Sequence, residues 1–204
     1  MRVHPVYSSE EVLMFTYKMS IDILEKDIKG DFIECGVAAG SQIGAMQQAM
    51  LDKQIPRTIW GFDSFEGIPF AGINDTEQPG IGEIDINKIG VLETTSIASY
   101  SQEDVLKNFQ LWNLPTNNLK LIKGWFENTI QTTSKEIKEI AMLRLDGDLY
   151  SSTYVCLEHL FEKVVIGGII IIDDWNLTGC QKAVKKFIDG RKIKKFNEIA
   201  YFIK

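Results

Sequence analysis

The chain of 204 residues is long enough to bury a substantial core, and its 45% hydrophobic and 25% charged residues are typical of one globular domain over residues 1–204. A net charge of −6 argues against general binding of nucleic acid. Three isolated cysteines suggest neither a disulfide framework nor a zinc site, and we find no ordinary signal peptide and no run of ~20 apolar residues that could span a membrane. We therefore expect a cytoplasmic protein without a membrane partner.

An amphipathic helix is predicted within residues 1–29, where Ser8 and Ser9 precede two glutamates and apolar residues then recur on one face. Beyond it, apolar strand-like segments alternate with helical segments. This alternation predicts βαβ units, and hence a doubly wound, mostly parallel, Rossmann-like α/β sheet. The strands are expected at 31–37, 58–63, 119–123, 140–146 and 169–173, the helices at 41–52, 151–165 and 179–188, and a last antiparallel edge strand at 199–203.

The stretch 64–101 interrupts this alternation. It is rich in Gly, Asp, Glu, Thr and Ser and shows weak periodicity. Long irregular loops of this kind in compact domains are commonly lids or binding loops. Because the stretch leaves the carboxyl end of a strand, it is predicted to cover a substrate; an idle insert is the alternative.

The loop between the first predicted strand and the following helix is the first candidate site. Gly36 and Gly40 allow the backbone to turn tightly and approach a ligand, and Ser41 can cap the helix, whose N-terminus would then face the site. The spacing is not GxGxxG, which weakens a dinucleotide interpretation. Glu34 beside the loop suits a cationic ligand that bears an amino group or a sulfonium. A simple tight turn is the alternative.

Asp63 ends the second predicted strand, roughly 20 residues past the glycine loop, where an acid commonly accepts hydrogen bonds from ribose hydroxyls. Capping of the following turn together with Ser64 is the alternative. The loop and the acid together imply a ligand that contains a nucleoside.

Three aspartates are predicted to converge at the carboxyl edge of the sheet. Asp173 and Asp174 follow a run of four isoleucines that reads as a fully buried strand, and Asp146 ends the neighbouring strand. Two adjacent aspartates can turn to one ion only if the strand has already ended. Such oxygen ligands suit Mg²⁺, and loop hydrogen bonding is the alternative. For Asp148, capping of the helix near Ser151 is preferred to a role as a further metal ligand.

The remaining conspicuous side chains give weaker indications. His4 lies near the start of the chain and His159 in the middle of a predicted helix, so neither is assigned a catalytic role. Trp125, which follows Gly124, ends another strand at the same edge and could stack on a base; core packing is the alternative. Trp175, beside the aspartates, is interpreted with equal weight as a substrate wall or as a core residue.

Together these motifs resemble the macrocin O-methyltransferase (TylF) family of class I S-adenosylmethionine-dependent methyltransferases, over roughly residues 30–189. The family is Mg²⁺-dependent and methylates hydroxyls, notably on sugars of natural products. The chain is shorter at both ends than typical members, and part of the N-terminal lid is expected to be missing. The resemblance rests on residues 34–37 with Gly40, 62–69, 124–129, 143–150 with 152–153, and 167–174.

The resemblance implies a role for each matching residue. The expected reaction is transfer of a methyl group to a hydroxyl of a small molecule, in particular of a sugar that belongs to a natural product or a surface glycan. Asp146 or a bound water is expected to take the proton from that hydroxyl. The resemblance implies that the methionine part of S-adenosylmethionine is lined by Glu34, Gly36, Gly40 and Ser41, its ribose by Asp63 and Ser64, and its adenine side by Gly124 and Trp125. It also implies that Mg²⁺ is held by Asp146, Asp173 and Asp174.

Two other functions remain open at this point. An NAD-dependent oxidoreductase would need a better phosphate-binding loop than this chain has. A non-catalytic module that binds S-adenosylmethionine is the second, and the intact set of metal ligands argues against it. A homodimer is the ordinary expectation for such a protein.

Overall fold

The computed structural model describes residues 1–75 and 87–204. Within them, seven strands form one sheet with six α-helices packed around it. None of these helices has the length and apolar character needed to cross a membrane. In chain order the elements are α1 (Glu10–Glu25), β1 (Asp31–Cys35), α2 (Ser41–Lys53), β2 (Ile59–Asp63), α3 (Gln102–Leu111), β3 (Leu119–Lys123), α4 (Phe126–Thr133), β4 (Ile140–Leu145), α5 (Tyr150–Leu160), β5 (Val164–Ile172), α6 (Thr178–Val184), β6 (Lys194–Phe196) and β7 (Ile199–Ile203).

The strand order determines where a ligand can bind. The sheet runs β3-β2-β1-β4-β5-β7-β6, and its first five strands are parallel. The chain proceeds outward from β1 to β3 on one side and from β4 to β5 on the other, so the direction of winding reverses between β1 and β4. Open α/β sheets bind ligands at the carboxyl ends of the strands at such a reversal. The doubly wound, mostly parallel α/β fold expected from the sequence is confirmed.

The isoleucine run forms a strand that is buried on both faces, as predicted. Ile169 and Ile171 pack in the core that α1, α2 and α3 cover, whereas Ile170 and Ile172 pack in the core beneath α4, α5 and α6. The strand begins at Val164, earlier than expected, and the helix predicted at 151–165 ends at Leu160. Pairing of Val164 with Ile140 of β4 explains the difference, because that partner is distant in sequence.

Two helices, α3 and α4, lie outside the elements that the sequence analysis predicts. Ser101 and Asp104 form a capping box at the start of α3, and this Ser-x-x-Asp pattern is the signal that could have revealed the helix. Three of the eight residues of α4 are threonines, which have low helix propensity. Burial of Phe126 and Ile130 against the sheet therefore stabilises α4, and no local pattern predicts it.

The antiparallel orientation expected for residues 199–203 is confirmed, but the edge of the sheet is β6. β6 folds back on β7 through a two-residue turn formed by Asn197 and Glu198. Asn197 has a φ of 53°, a left-handed conformation that asparagine tolerates. Because β7 runs antiparallel to β5, this turn lies at the carboxyl edge of the parallel strands, beside Asp173.

The stretch predicted as a lid, 64–101, can be described only in part, because residues 76–86 lie outside the described residues. In the described part, Pro69 pairs with Thr94 in an isolated β-bridge, and residues 73–75 form a short 3₁₀ turn. The role of this stretch as a lid stays a prediction.

Candidate active site

A cavity of about 310 Å³ opens at the carboxyl edge of the sheet, where the winding reverses between β1 and β4. Gly40 and Gly124 are not part of its lining: Gly40 precedes α2 and is packed against Val105, and the Gly124 N–H donates a hydrogen bond to the Asp63 carbonyl (2.9 Å). The other residues predicted for the site line it: Glu34, Gly36, Ser41, Asp63, Ser64, Trp125, Asp146, Asp173 and Asp174.

The glycine loop passes directly over Asp146. The Asp146 N–H donates to the Cys35 carbonyl (2.8 Å), and a Cβ built on Gly36 would overlap the carbonyl oxygen of Asp146. Gly36 also has a φ of 97°, which side chains rarely adopt. Only glycine therefore lets the loop after β1 approach the first aspartate of the trio.

Gly36→Ala is expected to lower the free energy of unfolding by more than ~3 kcal/mol, because backbone strain and the overlap with Asp146 add. Gly90→Ala is the matched control. Gly90 also has a positive φ, of 71°, but a Cβ there meets nothing within 4 Å, so strain alone should cost about 1 kcal/mol. Urea unfolding of both variants measures the difference, and equal losses would show that the close approach is unimportant.

Asp63 holds the two loops on either side of the cavity together. Its carboxylate accepts hydrogen bonds from the backbone N–H groups of Val37 (2.7 Å), Ala38 (2.9 Å) and Phe65 (2.7 Å). Burial raises the pKa of Asp63, and these three N–H donors oppose that shift. The Ser64 hydroxyl donates to the Gly67 carbonyl (2.7 Å) within its own turn. The turn-capping interpretation therefore describes both side chains, and a contact with ribose stays a prediction.

Ser41 does not cap α2, so that part of the sequence interpretation is wrong. Gly40 occupies the N-cap position and makes no side-chain cap bond. The Ser41 hydroxyl instead donates to the His4 carbonyl (3.0 Å) and accepts from the Val6 N–H (3.0 Å). The chain start is thereby tied across the cavity, where Val6, Tyr7 and Ser8 join the lining. These N-terminal residues were missed, since nothing in their local sequence indicates the contact.

Arg144 is the principal residue that the sequence analysis missed. It lies in β4, is 1% exposed, and donates to Glu34 Oε1 (2.9 Å), Asp146 Oδ2 (2.6 Å) and Asp173 Oδ1. Burial disfavours the charged guanidinium, but the three carboxylates together raise the pKa of Arg144. A charged residue between two leucines of a buried strand was the available signal. Arg144 therefore links the glycine-loop acid to two of the three aspartates.

Glu34 carries an unused acceptor inside the cavity lining. Its side chain is 1% exposed, and Oε2 has no hydrogen-bond partner among the described residues. Burial raises the pKa of Glu34 to about 8, although the nearby Arg144 acts in the opposite direction. A buried carboxylate oxygen without a donor costs free energy, and an ammonium group is a donor that would satisfy it.

Asp146, Asp173 and Asp174 each place a carboxylate oxygen within 4.8 Å of the others. β5 has ended at Ile172, so the two adjacent aspartates can turn to one point. Asp146 and Asp173 each use one oxygen for Arg144, and Asp174 Oδ2 accepts from the Asp148 N–H (2.9 Å). In the described parts of the chain, the second oxygen of each accepts no hydrogen bond. One carboxylate oxygen from each of three aspartates, within 4.8 Å of one another, fits a hard divalent cation such as Mg²⁺.

Burial, with crowding of like charges added to it, raises the pKa values of two of the three aspartates. Burial raises the pKa of Asp173 to about 6, with Arg144 opposing and Asp146 adding to the shift. Burial also raises the pKa of Asp174 well above its usual range, and Asp148, Asp146 and Asp173 add to this. A divalent cation would relieve the like-charge repulsion that adds to the effect of burial on both pKa values.

Asp148 does not cap the helix that follows it, so that interpretation is wrong. α5 begins at Tyr150, whose N–H donates to Asp75 Oδ1 (2.8 Å) from the long insert. The Asp148 backbone is left-handed, with a φ of 58°, and its carboxylate accepts no hydrogen bond from a described residue. Burial, followed by the charges of Asp146 and Asp173, raises the pKa of Asp148 to about 7. A free carboxylate thus stands beside the trio.

A second cavity, of about 790 Å³, adjoins the first. The two share five lining residues: Tyr7, Ser8, Asp148, Asp173 and Asp174. Trp175 lines neither cavity and packs in the core beneath α4 to α6, which favours its core interpretation. The second cavity is completed by Ser9, Glu11, Val12, Asn176, Leu177, Asn197, Glu198 and Ile199.

Comparisons with known proteins agree with this arrangement. The macrocin O-methyltransferase (TylF) family matches residues 14–201. Demethyldecarbamoylnovobiocin O-methyltransferase of Streptomyces niveus is 33% identical over 168 residues, which are 81% of this chain and 61% of that protein. The 8-demethyl-8-(2,3-dimethoxy-alpha-L-rhamnosyl)-tetracenomycin-C 4'-O-methyltransferase of Streptomyces olivaceus is 31% identical over 166 residues, 81% of this chain and 60% of that protein. The chain thus spans less than two thirds of either relative.

A solved structure of the O-methyltransferase NovP has the same fold, with a TM-score of 0.79 and 28% sequence identity. The match covers 95% of this chain and 79% of that chain. Nearly the whole described sheet and its helices therefore have counterparts in a solved methyltransferase.

Proposed function

The chain belongs to the macrocin O-methyltransferase (TylF) family, and from this premise we propose that it transfers the methyl group of S-adenosylmethionine to a hydroxyl of a small molecule. The class I methyltransferase fold expected from the sequence is confirmed by the likeness to a solved O-methyltransferase. The names of both curated relatives specify O-methylation of natural products, and one names a rhamnosyl group. A sugar hydroxyl is therefore the proposed acceptor.

One observation carries the proposal: Glu34, whose Oε2 has no hydrogen-bond partner among the described residues, lines a cavity that is also lined by the three aspartates. The amino group of S-adenosylmethionine would supply the missing donor, and its sulfonium is the methyl source. A nicotinamide dinucleotide has no ammonium group, and the positively charged ring nitrogen of its oxidised form carries no N–H that could be donated to Glu34. Charge at the loop thus favours methyl transfer over hydride transfer.

The remaining cofactor contacts are proposed from the cavity lining. The methionine end is lined by Glu34, Gly36 and Ser41. The ribose is lined by Asp63 and Ser64, and the adenine side by Trp125. Gly40 and Gly124 contribute through the turns that they allow, since their own atoms are not part of the lining. A metal would be held by Asp146, Asp173 and Asp174, whose free oxygens suit Mg²⁺. Mg²⁺ held there would lower the pKa of the acceptor hydroxyl and orient it.

Two aspartates are candidates for taking the proton from the acceptor hydroxyl. Asp146, expected from the sequence, already accepts from Arg144. Asp148 lines both cavities and has a carboxylate that accepts no hydrogen bond from a described residue. We therefore place Asp146 with the metal ligands and Asp148 as the proton acceptor.

Calorimetry separates the proposed function from its two rivals. S-adenosylmethionine and S-adenosylhomocysteine are expected to bind and NADH not to bind, in the presence and absence of Mg²⁺. A radiolabelled methyl-transfer screen over glycosides and nucleotide-linked sugars then tests for turnover. Tight binding of NADH would favour an oxidoreductase, and S-adenosylmethionine binding without turnover of any acceptor would favour a non-catalytic module. The cytoplasmic location and the homodimer stay predictions.

Glu34→Gln is expected to weaken binding of S-adenosylmethionine by about 10-fold or more, because a charge-assisted hydrogen bond to its amino group is lost. Calorimetric titration measures the change, and thermal unfolding shows that the variant is folded. Glu158→Gln, an exposed position on α5 outside both cavities, is the control and should bind as the unaltered protein does. Unchanged affinity of Glu34→Gln would contradict the assignment of Glu34 to the amino group.

A further inference from the structure

We propose that Asp75 is a positioning residue that anchors the insert between β2 and α3 (residues 64–101) to the start of α5 and thereby holds Asp148 in place. This rests on the proposed function, in which Asp148 is the proton acceptor. Asp75 belongs to a loop, yet it is only 1% exposed. A carboxylate is buried to this extent only where donors satisfy it. Its partners therefore identify the segments that it joins.

The Asp75 carboxylate has one partner in the insert and one in α5. Oδ2 accepts from the Gly72 N–H (3.1 Å), which closes the turn that contains Asp75. Oδ1 accepts from the Tyr150 N–H (2.8 Å) at the first residue of α5. The N-cap residue of α5 is Leu149, which has no polar side-chain atom. Asp75 therefore takes the place of a local cap, and its charge suits the positive end of the helix dipole.

The start of α6 packs against the same carboxylate. A Cβ built on Gly179 would lie 1.9 Å from Asp75 Oδ1 and 3.2 Å from the Tyr150 nitrogen, so only glycine allows this approach. Lys182 of α6 donates to the Asn74 carbonyl (3.3 Å). Burial raises the pKa of Asp75, but its two N–H donors and the charge of Lys182 oppose that rise. One buried residue thus joins the insert to two helices.

The starts of the same two helices hold Asp148. The Cys180 Sγ–H donates to the Asp148 carbonyl (3.3 Å), and Tyr150 follows Asp148 by two residues. The Asp148 backbone is left-handed, with a φ of 58°, a conformation that persists only when the surrounding structure imposes it. Loss of the Asp75 carboxylate removes a contact to both helix starts at once. The Asp148 side chain is then expected to lose its fixed position beside the cavity.

The part of the insert that lines the cofactor cavity is held by other contacts. The Ser64 hydroxyl accepts from the Gly67 N–H (3.1 Å) and donates to the Gly67 carbonyl (2.7 Å). Pro69 pairs with Thr94 in the returning part of the insert. None of these contacts involves Asp75. Loss of the anchor is therefore expected to slow methyl transfer much more than it weakens cofactor binding.

Asp75→Ala tests the anchor without requiring turnover. Trypsin cleavage after Lys88, which lies over the Phe70 ring in the insert, should become about 10-fold faster or more, because two hydrogen bonds to a charged group are lost. Hydrogen exchange of peptides that contain Tyr150 should accelerate as well. Mass spectrometry measures both changes, and urea unfolding shows whether global stability accounts for them.

Kinetics separate a positioning role from a merely structural one. With radiolabelled S-adenosylmethionine, the kcat of Asp75→Ala for methyl α-L-rhamnopyranoside and for thymidine diphosphate-L-rhamnose should fall by about 10-fold or more. The calorimetric Kd for S-adenosylhomocysteine should change by less than about 3-fold. Glu103→Ala, an exposed position on α3, is the control and should leave cleavage, exchange and kinetics unchanged.

Gly179→Ala displaces the Asp75 carboxylate without removing it, so it should reproduce the faster cleavage and the lower kcat. Combined with Asp75→Ala it should add little, because the overlap is gone and alanine favours a helix. Unchanged cleavage after Lys88, an unchanged kcat of folded Asp75→Ala, or additive effects of the two substitutions would each overturn the proposal. Absence of methyl transfer by the unaltered protein would instead contradict the proposed function, and cleavage and exchange would still decide whether Asp75 anchors the insert.

Discussion

Asp174→Asn is expected to lower kcat for methyl transfer by more than about 100-fold, while the affinity for S-adenosylmethionine changes by less than about 3-fold. Asp174 offers one of the three carboxylate oxygens that converge at the edge of the sheet, and it makes no bond to Arg144. The variant therefore removes a metal ligand without disturbing the side of the cavity that contains Glu34. Asp173 is a less selective target, because it accepts from Arg144.

Radiolabelled methyl transfer and calorimetry measure the two effects of Asp174→Asn. Asp22→Asn, on the exposed face of α1, is the control and should leave both unchanged. Asp148→Asn should also lower kcat but should retain the dependence of activity on added Mg²⁺, since Asp148 is placed as the proton acceptor. Full activity of Asp174→Asn, and its persistence in a chelator, would rule out the proposed metal site.

Arg144→Met is expected to lower the free energy of unfolding by about 3–5 kcal/mol. The guanidinium is buried and is the shared partner of Glu34, Asp146 and Asp173. Methionine replaces the unbranched apolar stem of arginine but leaves three clustered carboxylates without their cation. The large loss follows from uncompensated buried charge, not from loss of packing volume. Urea unfolding in the absence of divalent cations measures it.

Two comparison variants show that the effect of Arg144→Met is electrostatic. Arg2→Met removes an exposed arginine and should change stability by less than ~0.5 kcal/mol. Adding Glu34→Gln to Arg144→Met removes one of the stranded charges and should restore part of the lost stability. A loss below about 1 kcal/mol for Arg144→Met, or no recovery in the double variant, would show that the buried cluster does not depend on Arg144.

Much of the fold could be predicted, because many of its helices and strands are determined by patterns of residues that are close in the sequence. The isoleucine run preceding Asp173 is β-branched and short, which predicts a strand buried on both faces, and the structure has that strand as β5. The starts of β1, α2 and β2 were likewise predicted within a residue of their positions. α4 was not predicted, because its threonines disfavour a helix and only its contacts in the folded protein stabilise it.

The candidate site was predicted as a set of acids and glycines, but not as a network. Asp146, Asp173 and Asp174 were placed together correctly, since carboxyl ends of parallel strands share one edge. The helix-capping roles given to Ser41 and Asp148 were wrong, because each interpretation considered only neighbours in sequence. The Tyr150 N–H of the helix that Asp148 precedes instead donates a hydrogen bond to Asp75, which lies 75 residues earlier in the chain.

The sequence by itself determined the α/β alternation, the acidic glycine loop and the aspartates that end two strands, because each depends on residues within a few positions of one another. Only the tertiary structure decided that Arg144 binds Glu34, from which it is 110 residues distant in the chain, and so links Glu34 to the aspartates. It also decided that the turn containing Glu198 lines an acidic second cavity. Such contacts depend on strand order and register, which bring distant segments together. The pairing of buried charges across strands is therefore a property of the assembled sheet, and no local pattern contains it.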